Sequence, residues 1–151
     1  MGEKSIRILG PESEEDLIAF EHRCFLTDHW KKEDWRELLS DPRAVYYAMF
    51  DGERLVGNVF IYDWQGENDY IKIMSLAVHP DSRGRGLARE LLRHVRTAAE
   101  KPGIRRVCAE TRASNAAMQR VFDACGYRLS KIEEGLFDDP PESGYKYVLT
   151  L

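Results

Sequence analysis

The sequence predicts a mixed α/β (α+β) domain, a central sheet of about seven strands flanked by about four helices. Three observations predict it. Strand-like and helix-like segments alternate along all 151 residues. No repeat, low-complexity tract or linker interrupts them, so residues 1–151 read as one domain. A turn rich in glycine and arginine, residues 83–88, joins a strand-like run to the clearest helical stripe in the chain.

In order, Ser5 to Leu9 reads as a short strand, broken by Gly10-Pro11. Ser13, with Asp16 three residues on, predicts a capped helix start. Leu17, Phe20, Cys24 and Phe25 then recur at helical spacing. A second helix is expected over Lys31 to Leu39, ended by Asp41-Pro42. Ala44 to Phe50 and Arg54 to Tyr62 are rich in β-formers, and Asp51-Gly52 between them signals a hairpin. Asp63 to Asp69 reads as a polar loop and Tyr70 to Val78 as a strand stopped by His79-Pro80-Asp81. Leu87, Ala88, Leu91, Leu92, Val95, Ala98 and Ala99 form the helical stripe, and Lys101-Pro102-Gly103 ends it. Arg106 to Thr111 is a strand. Ser114 or Asn115 caps a helix reaching Cys125, with Gly126 suited to the position after its end. Tyr127 to Glu133 is a strand, Phe137 to Gly144 a turn-rich loop, and Tyr145 to Leu151 the last strand.

The bulk properties exclude several functions. A net charge of −4 argues against a general electrostatic grip on nucleic acid. No apolar run approaches the roughly 18 residues that span a bilayer, and Met1-Gly2 leads into no apolar signal core. Gly2 opens a myristoylation-like pattern that fails at Ile6. Cys24, Cys108 and Cys125 form neither a disulfide framework nor a CxxC pair, which fits a reducing, cytoplasmic setting. His22, His29, His79 and His94 lack metal-ligand spacing, so no metal is expected.

The chemistry concentrates at Arg83-Gly84-Arg85-Gly86-Leu87-Ala88. A helix N-terminus presents unpaired N–H groups and the positive end of a dipole, which together seat anions. Gly84 and Gly86 let a phosphate approach the backbone, and Arg83 and Arg85 add charge-assisted donors. The expected ligand is a pyrophosphate. The Gly-Lys-Ser/Thr of a Walker loop is absent, and Arg89 stands where a dinucleotide GxGxxG motif needs its third glycine.

The segment resembles the signature of the GCN5-related N-acetyltransferases, Arg/Gln-x-x-Gly-x-Gly/Ala, with Arg83, Gly86 and Ala88 at its fixed positions. Leu76-Ala77-Val78-His79-Pro80 resembles that family's preceding strand and turn. Residues 110–117 resemble its next strand and helix start, and Phe122 to Tyr127 its aromatic-x-x-x-Gly-Phe/Tyr ending. The resemblance covers essentially the whole chain, most strongly Ile73 to Leu129, and leans to the ribosomal-protein N-terminal (RimI-like) branch. It implies acetyl-CoA as cosubstrate. The pantetheine arm would pair with the strand at Leu76, Ala77 and Val78, and an N–H near Val78 would serve the oxyanion. The pyrophosphate would lie on the N–H groups of Arg83, Gly84, Arg85, Gly86, Leu87, Ala88 and Arg89, with Asn115 at the pantetheine amides. Glu110 would be the base that receives the amine's proton through water. Where the branch places a tyrosine beside the CoA sulfur, this chain has Phe122, which cannot donate a proton. Tyr127, Tyr145 and Tyr147 are the candidate substitutes.

The resemblance also implies an acceptor side built from the first two helices, residues 63–69 and the last hairpin, with Glu21, Arg23, Phe25, Trp30, Trp64, Glu67, Asp69, Asp138 and Asp139. Glu21-x-Arg23-x-Phe25 and Trp30 resemble the opening of the N-terminal acetyltransferase branch. The expected activity is acetyl transfer to a primary amine of a protein or peptide. A small-amine acetyltransferase and a catalytically poor acyl-CoA-binding module stay open, as does a homodimer.

Overall fold

The computed structural model describes residues 3–25, 30–64 and 67–151; Gly2 and His29 lie outside them. The strands are β1 (Lys4–Leu9), β2 (Ala44–Asp51), β3 (Arg54–Asp63), β4 (Tyr70–Val78), β5 (Arg106–Arg112), β6 (Arg128–Phe137) and β7 (Glu142–Thr150). The helices are α1 (Glu14–Cys24), α2 (Lys32–Ser40), α3 (Leu87–Ala99) and α4 (Ala116–Ala124). The strands form one mixed sheet in the order β1-β2-β3-β4-β5-β7-β6. Fold class and element order are those read from the sequence. Among the described residues, no helix is long and apolar enough to cross a membrane.

Local chemistry explains the element ends. The β2–β3 turn puts Gly52 at φ 63, in the first of its two central positions. There the turn matching strand twist needs positive φ. α4 opens on Asn115, whose side chain accepts from Met118 N at 3.1 Å. It closes with Gly126 at φ 87, as Tyr127 N bonds Phe122 O and Gly126 N bonds Asp123 O. That is a Schellman end, and it recovers carbonyls the helix leaves unpaired.

Two expectations fail. Ser13 does not cap α1 with its side chain. Pro11–Ser13 form a 3-10 turn that holds Ser13 at φ −100, ψ 8, away from the extended backbone a capping hydroxyl needs. The loop expected over 137–144 shrinks to a short turn, because β6 runs to Phe137 and β7 starts at Glu142. Arg112 explains the closure: its guanidinium donates to Asp138 O and Pro140 O, both at 2.8 Å, and pairs with Glu142 at 3.3 Å.

The sheet separates two cores. On one face Leu17, Trp35 and Leu39 of α1 and α2 pack on Tyr46, Ala48 and Phe60. Trp35 stacks on Phe60 at 5.8 Å, and Tyr46 meets Phe60 edge-on at 5.2 Å. On the other face Leu87, Leu91, Leu92, Val95 and Ala99 of α3, with Phe122 of α4, cover Val59, Ile61, Ile71, Ile73, Val107 and Ala109. β3 therefore alternates Phe60 to one core and Val59 and Ile61 to the other.

Candidate active site

β4 and β5, the parallel neighbours, pair only at Tyr70–Arg106, Ile71–Val107 and Lys72–Cys108. Beyond Lys72 the two strands part. β4 continues to Val78 on β3, and β5 continues to Arg112 on β7. A cleft of about 1190 Å³ opens between them. Its β4 wall includes Ile73, Met74, Ser75 and Leu76, and its β5–α4 wall includes Glu110, Thr111, Asn115, Met118 and Phe122. Glu21, Cys24 and Phe25 of the α1 segment, then Trp30, Asp34, Glu37 and Leu38, also line it, together with Tyr62, Trp64 and Phe137.

The glycine-rich turn leads out of the same strand. Gly84 and Gly86 sit at φ 79 and 77, and a Cβ on either would meet no atom within 4 Å. Glycine is therefore required there by backbone conformation, and the space in front is open. Gly86 is the N-cap of α3, so the first N–H groups of that helix face the turn. Arg85 pairs with Asp51 at 3.6 Å, and Arg89 is exposed on the first turn of α3.

Arg83 is used differently from the expectation. Its Nε donates to Val78 O at 3.1 Å and its Nη2 to Cys24 O at 3.2 Å. The guanidinium ties the end of β4 to the last turn of α1 instead of facing the turn. It neutralises a helix C-terminus, where a cation is favoured.

Glu110 lines the cleft between two ammonium groups. Lys72 Nζ lies 3.1 Å from Oε1, and Lys146 Nζ lies 3.4 Å from Oε2. Lys146 also pairs with Glu133 at 3.3 Å, and Glu133 with Lys131 at 3.6 Å. A ladder of alternating charge thus crosses β4, β5, β7 and β6. Hydrogen bonding to Lys146 first, and its charge second, lowers the Glu133 carboxyl below the usual range, and Glu133 in turn raises Lys146.

Phe122 is buried in the cleft wall, stacked on Tyr147 at 5.0 Å and tilted against Tyr127 at 5.2 Å. Tyr127, Tyr145 and Tyr147 do not line the cleft, so no candidate substitute brings its hydroxyl there. Burial first, then nearby Cys125, pushes the Tyr127 phenol well up, and burial also raises Tyr147. Of the cysteines only Cys24 reaches the cleft. Burial, then the Glu21 charge, pushes its thiol up to about 12, with Arg83 opposing, so it stays protonated and a poor nucleophile.

The expected acceptor residues divide. Glu21, Phe25, Trp30 and Trp64 line the cleft. Arg23, Asp138 and Asp139 do not; Glu67 pairs with Arg43 at 3.0 Å and Asp69 with Arg106 at 3.2 Å, both away from it. The sequence reading missed Lys72, Ser75, Asp34 and Glu37 in the lining. Alternation from Ile71 and Ile73 puts Lys72 off the α3 core, a signal that could have found it. Among the described residues, no group of three His, Cys, Asp or Glu side chains could hold a metal ion.

A sheet parted at its parallel pair, with a helix N-terminus behind two positive-φ glycines at one end and carboxylates along the walls, forms an open cleft. Residues 12–127 match the Acetyltransferase (GNAT) family, and the chain belongs to it. It is similar to ribosomal-protein alanine acetyltransferases and to other acetyltransferases of that family. It is 33% identical over 69 residues to the [ribosomal protein bS18]-alanine N-acetyltransferase of Escherichia coli K12, a match spanning 46% of this chain and 47% of the relative. The match thus spans about half the length of that relative. An acetyltransferase of Pectobacterium atrosepticum is 30% identical over 126 residues, 81% of this chain and 86% of its own. The crystal structure of the Escherichia coli ribosomal-protein-S18-alanine N-acetyltransferase shares the fold at a TM-score of 0.87 and 21% identity, covering 98% of this chain and 94% of that one. Arabidopsis thaliana NAA60 in complex with acetyl-CoA does so at 0.87 and 20%, covering 99% and 100%.

Proposed function

We infer that the protein transfers an acetyl group from acetyl-CoA to a primary amine of a protein or peptide by direct attack. The observation that carries this reading is the parting of β4 and β5 beyond Lys72, which joins the glycine-rich turn to a cleft lined by Glu110. The family membership and a relative solved with acetyl-CoA support the donor. A relative that acts on the alanine of ribosomal protein bS18 supports a protein amine. The protein would work in the cytoplasm and uses no metal in this reading.

In this reading the pyrophosphate lies on the N–H groups from Arg83 to Arg89, at the positive end of α3. The acyl arm runs along the open edge of β4 at Leu76, Ala77 and Val78, as an added strand does. Asn115 reaches the arm with the amide nitrogen that its capping bond leaves over. Glu110 accepts the amine's proton through water, and Lys72 and Lys146 hold its carboxylate in place. The neutral amine attacks the thioester carbon, the oxyanion is held by a backbone N–H near Val78, and the nitrogen gives up its second proton to solvent water as the tetrahedral intermediate collapses. The C–S bond then breaks. With Phe122 in the wall, the thiolate leaves without a tyrosine donor and takes its proton from solvent.

Phe122 also favours a second reading, an acyl-CoA-binding module with poor turnover. One experiment separates them. The protein is mixed with acetyl-CoA and free CoA thiol is followed over N-terminal peptides, lysine peptides and small amines. Turnover of a peptide supports the first reading. Turnover of a small amine alone corrects the acceptor, and binding of acetyl-CoA without thiol release selects the module.

A further inference from the structure

The charge ladder does not end at the cleft. Glu110, its side chain 25% exposed, divides its oxygens between Lys72 on β4 and Lys146 on β7. The two lysines are not equivalent. Lys72 lines the cleft and pairs with Glu110. Lys146 is not part of the lining and is shared, 3.4 Å from Glu110 Oε2 and 3.3 Å from Glu133 Oε1. That Glu133 oxygen also holds Lys131 at 3.6 Å.

Strand register explains the sharing. Lys146 stands opposite Glu110 on β5 and opposite Lys131 on β6. Facing lysines repel, and Glu133 is the carboxylate both can reach. Glu133 has the first claim on Lys146: its hydrogen bond is the largest cause raising that ammonium, ahead of the Glu110 charge. Lys146 therefore gives Glu110 only part of its charge.

The other groups around Glu110 are committed elsewhere or constant. On its own strand Arg106 pairs with Asp69 and Arg112 with Glu142, and burial pushes the Cys108 thiol up. Glu21, Cys24, Asp34, Glu37, Asp41 and Tyr62 line the cleft from other elements. Among the described residues, α4 adds no ionisable side chain to that lining. The field of all these groups is common to the variants compared in the test.

We propose that Glu133, outside the cleft, is a positioning residue that sets the proton affinity of Glu110 by competing for Lys146. This rests on the reading in which Glu110 is the base. A carboxylate pinned by two full ammonium charges is a weak base. By drawing Lys146 partly away, Glu133 leaves Glu110 able to take the amine's proton, while Lys72 still fixes its place.

The test is an NMR titration of the glutamate carboxyl carbons in the whole chain, with the Glu110 signal assigned by its loss in Glu110→Gln. Glu133→Gln frees Lys146 for Glu110, so the Glu110 midpoint should fall by about half a pH unit. Lys146→Met removes the cation, so the midpoint should rise by about one pH unit. Loosening of the β6–β7 hairpin alone would not give opposite signs. A midpoint that stays put in Glu133→Gln, or that moves the same way in both variants, overturns the proposal. The acid limb of kcat/KM for an alanine-initiated hexapeptide should follow the midpoints. A limb that ignores shifted midpoints, or undiminished turnover in Glu110→Gln, refutes Glu110 as the base, while the opposite shifts still establish the hold of Glu133 on its proton affinity.

Discussion

Gly86→Glu isolates the glycine-rich turn. Residue 86 sits at φ 77, where a side chain costs about 1–2 kcal/mol of backbone strain. The new Cβ would meet nothing within 4 Å, so there is no steric cost to add. For a chain of 151 residues that strain lowers Tm by about 2–8 °C, a folded protein with a modest deficit. The effect on binding is larger. A carboxylate about 4 Å from a bound pyrophosphate, near the surface, opposes it by about 4 kcal/mol per charge pair, close to a thousandfold in affinity. Calorimetric titration with acetyl-CoA reads the binding, and a thermal melt reads the fold. Gly86→Ala is the control, because it carries the same strain without the charge and should weaken binding by less than about tenfold. If Gly86→Glu melts within a few degrees of wild type and still binds acetyl-CoA with wild-type affinity, the turn does not hold the pyrophosphate and the reasoning fails.

Glu110→Gln should lower kcat by about a hundredfold or more with acetyl-CoA affinity unchanged, measured by thiol release and calorimetry; undiminished turnover removes Glu110 as the base. Phe122→Tyr should raise kcat if a phenol beside the sulfur is what the cleft lacks, and an unchanged kcat would show that the thiolate needs no donor. Gly144→Ala places a Cβ into the Leu136 side chain, so the β6–β7 hairpin should destabilise by about 1–3 kcal/mol in a urea melt. The Cys24 thiol is raised on folding from 9.0 to about 12, so the folded state favours its protonated form. Its contribution to stability is complete below pH 9 and falls away as pH climbs toward 12, which denaturant melts of wild type and Cys24→Ala across that range will show as a gap that changes with pH.

Element order was legible because it depends on local signals. The α3 stripe, the Asp51-Gly52 turn and the Asn115 and Gly126 caps each act within a few residues, and the structure has them all. Ser13 misled because a capping residue works only from extended backbone, and the preceding 3-10 turn denies it that. Residues 137–144 read as a loop because their prolines and glycine mask a hairpin that Arg112 clamps from another strand. The charge ladder from Lys72 to Lys131 could not be read at all. It depends on cross-strand register, with Glu110 opposite Lys146 and Lys72 opposite Cys108, and no local pattern encodes that. Arg83 was legible as a residue of the turn but not in its bonds, since its partner Cys24 lies 59 positions away.

That clasp bears on binding as well as on folding. One guanidinium joins the strand end feeding the glycine-rich turn to the helix end bearing Glu21. In the proposed reading the two ends hold cosubstrate and acceptor, so binding at one would preorganise the other through this side chain. By thermodynamic reciprocity the tightening must be the same in either direction, and replacing Arg83 would cut the two binding events loose from one another.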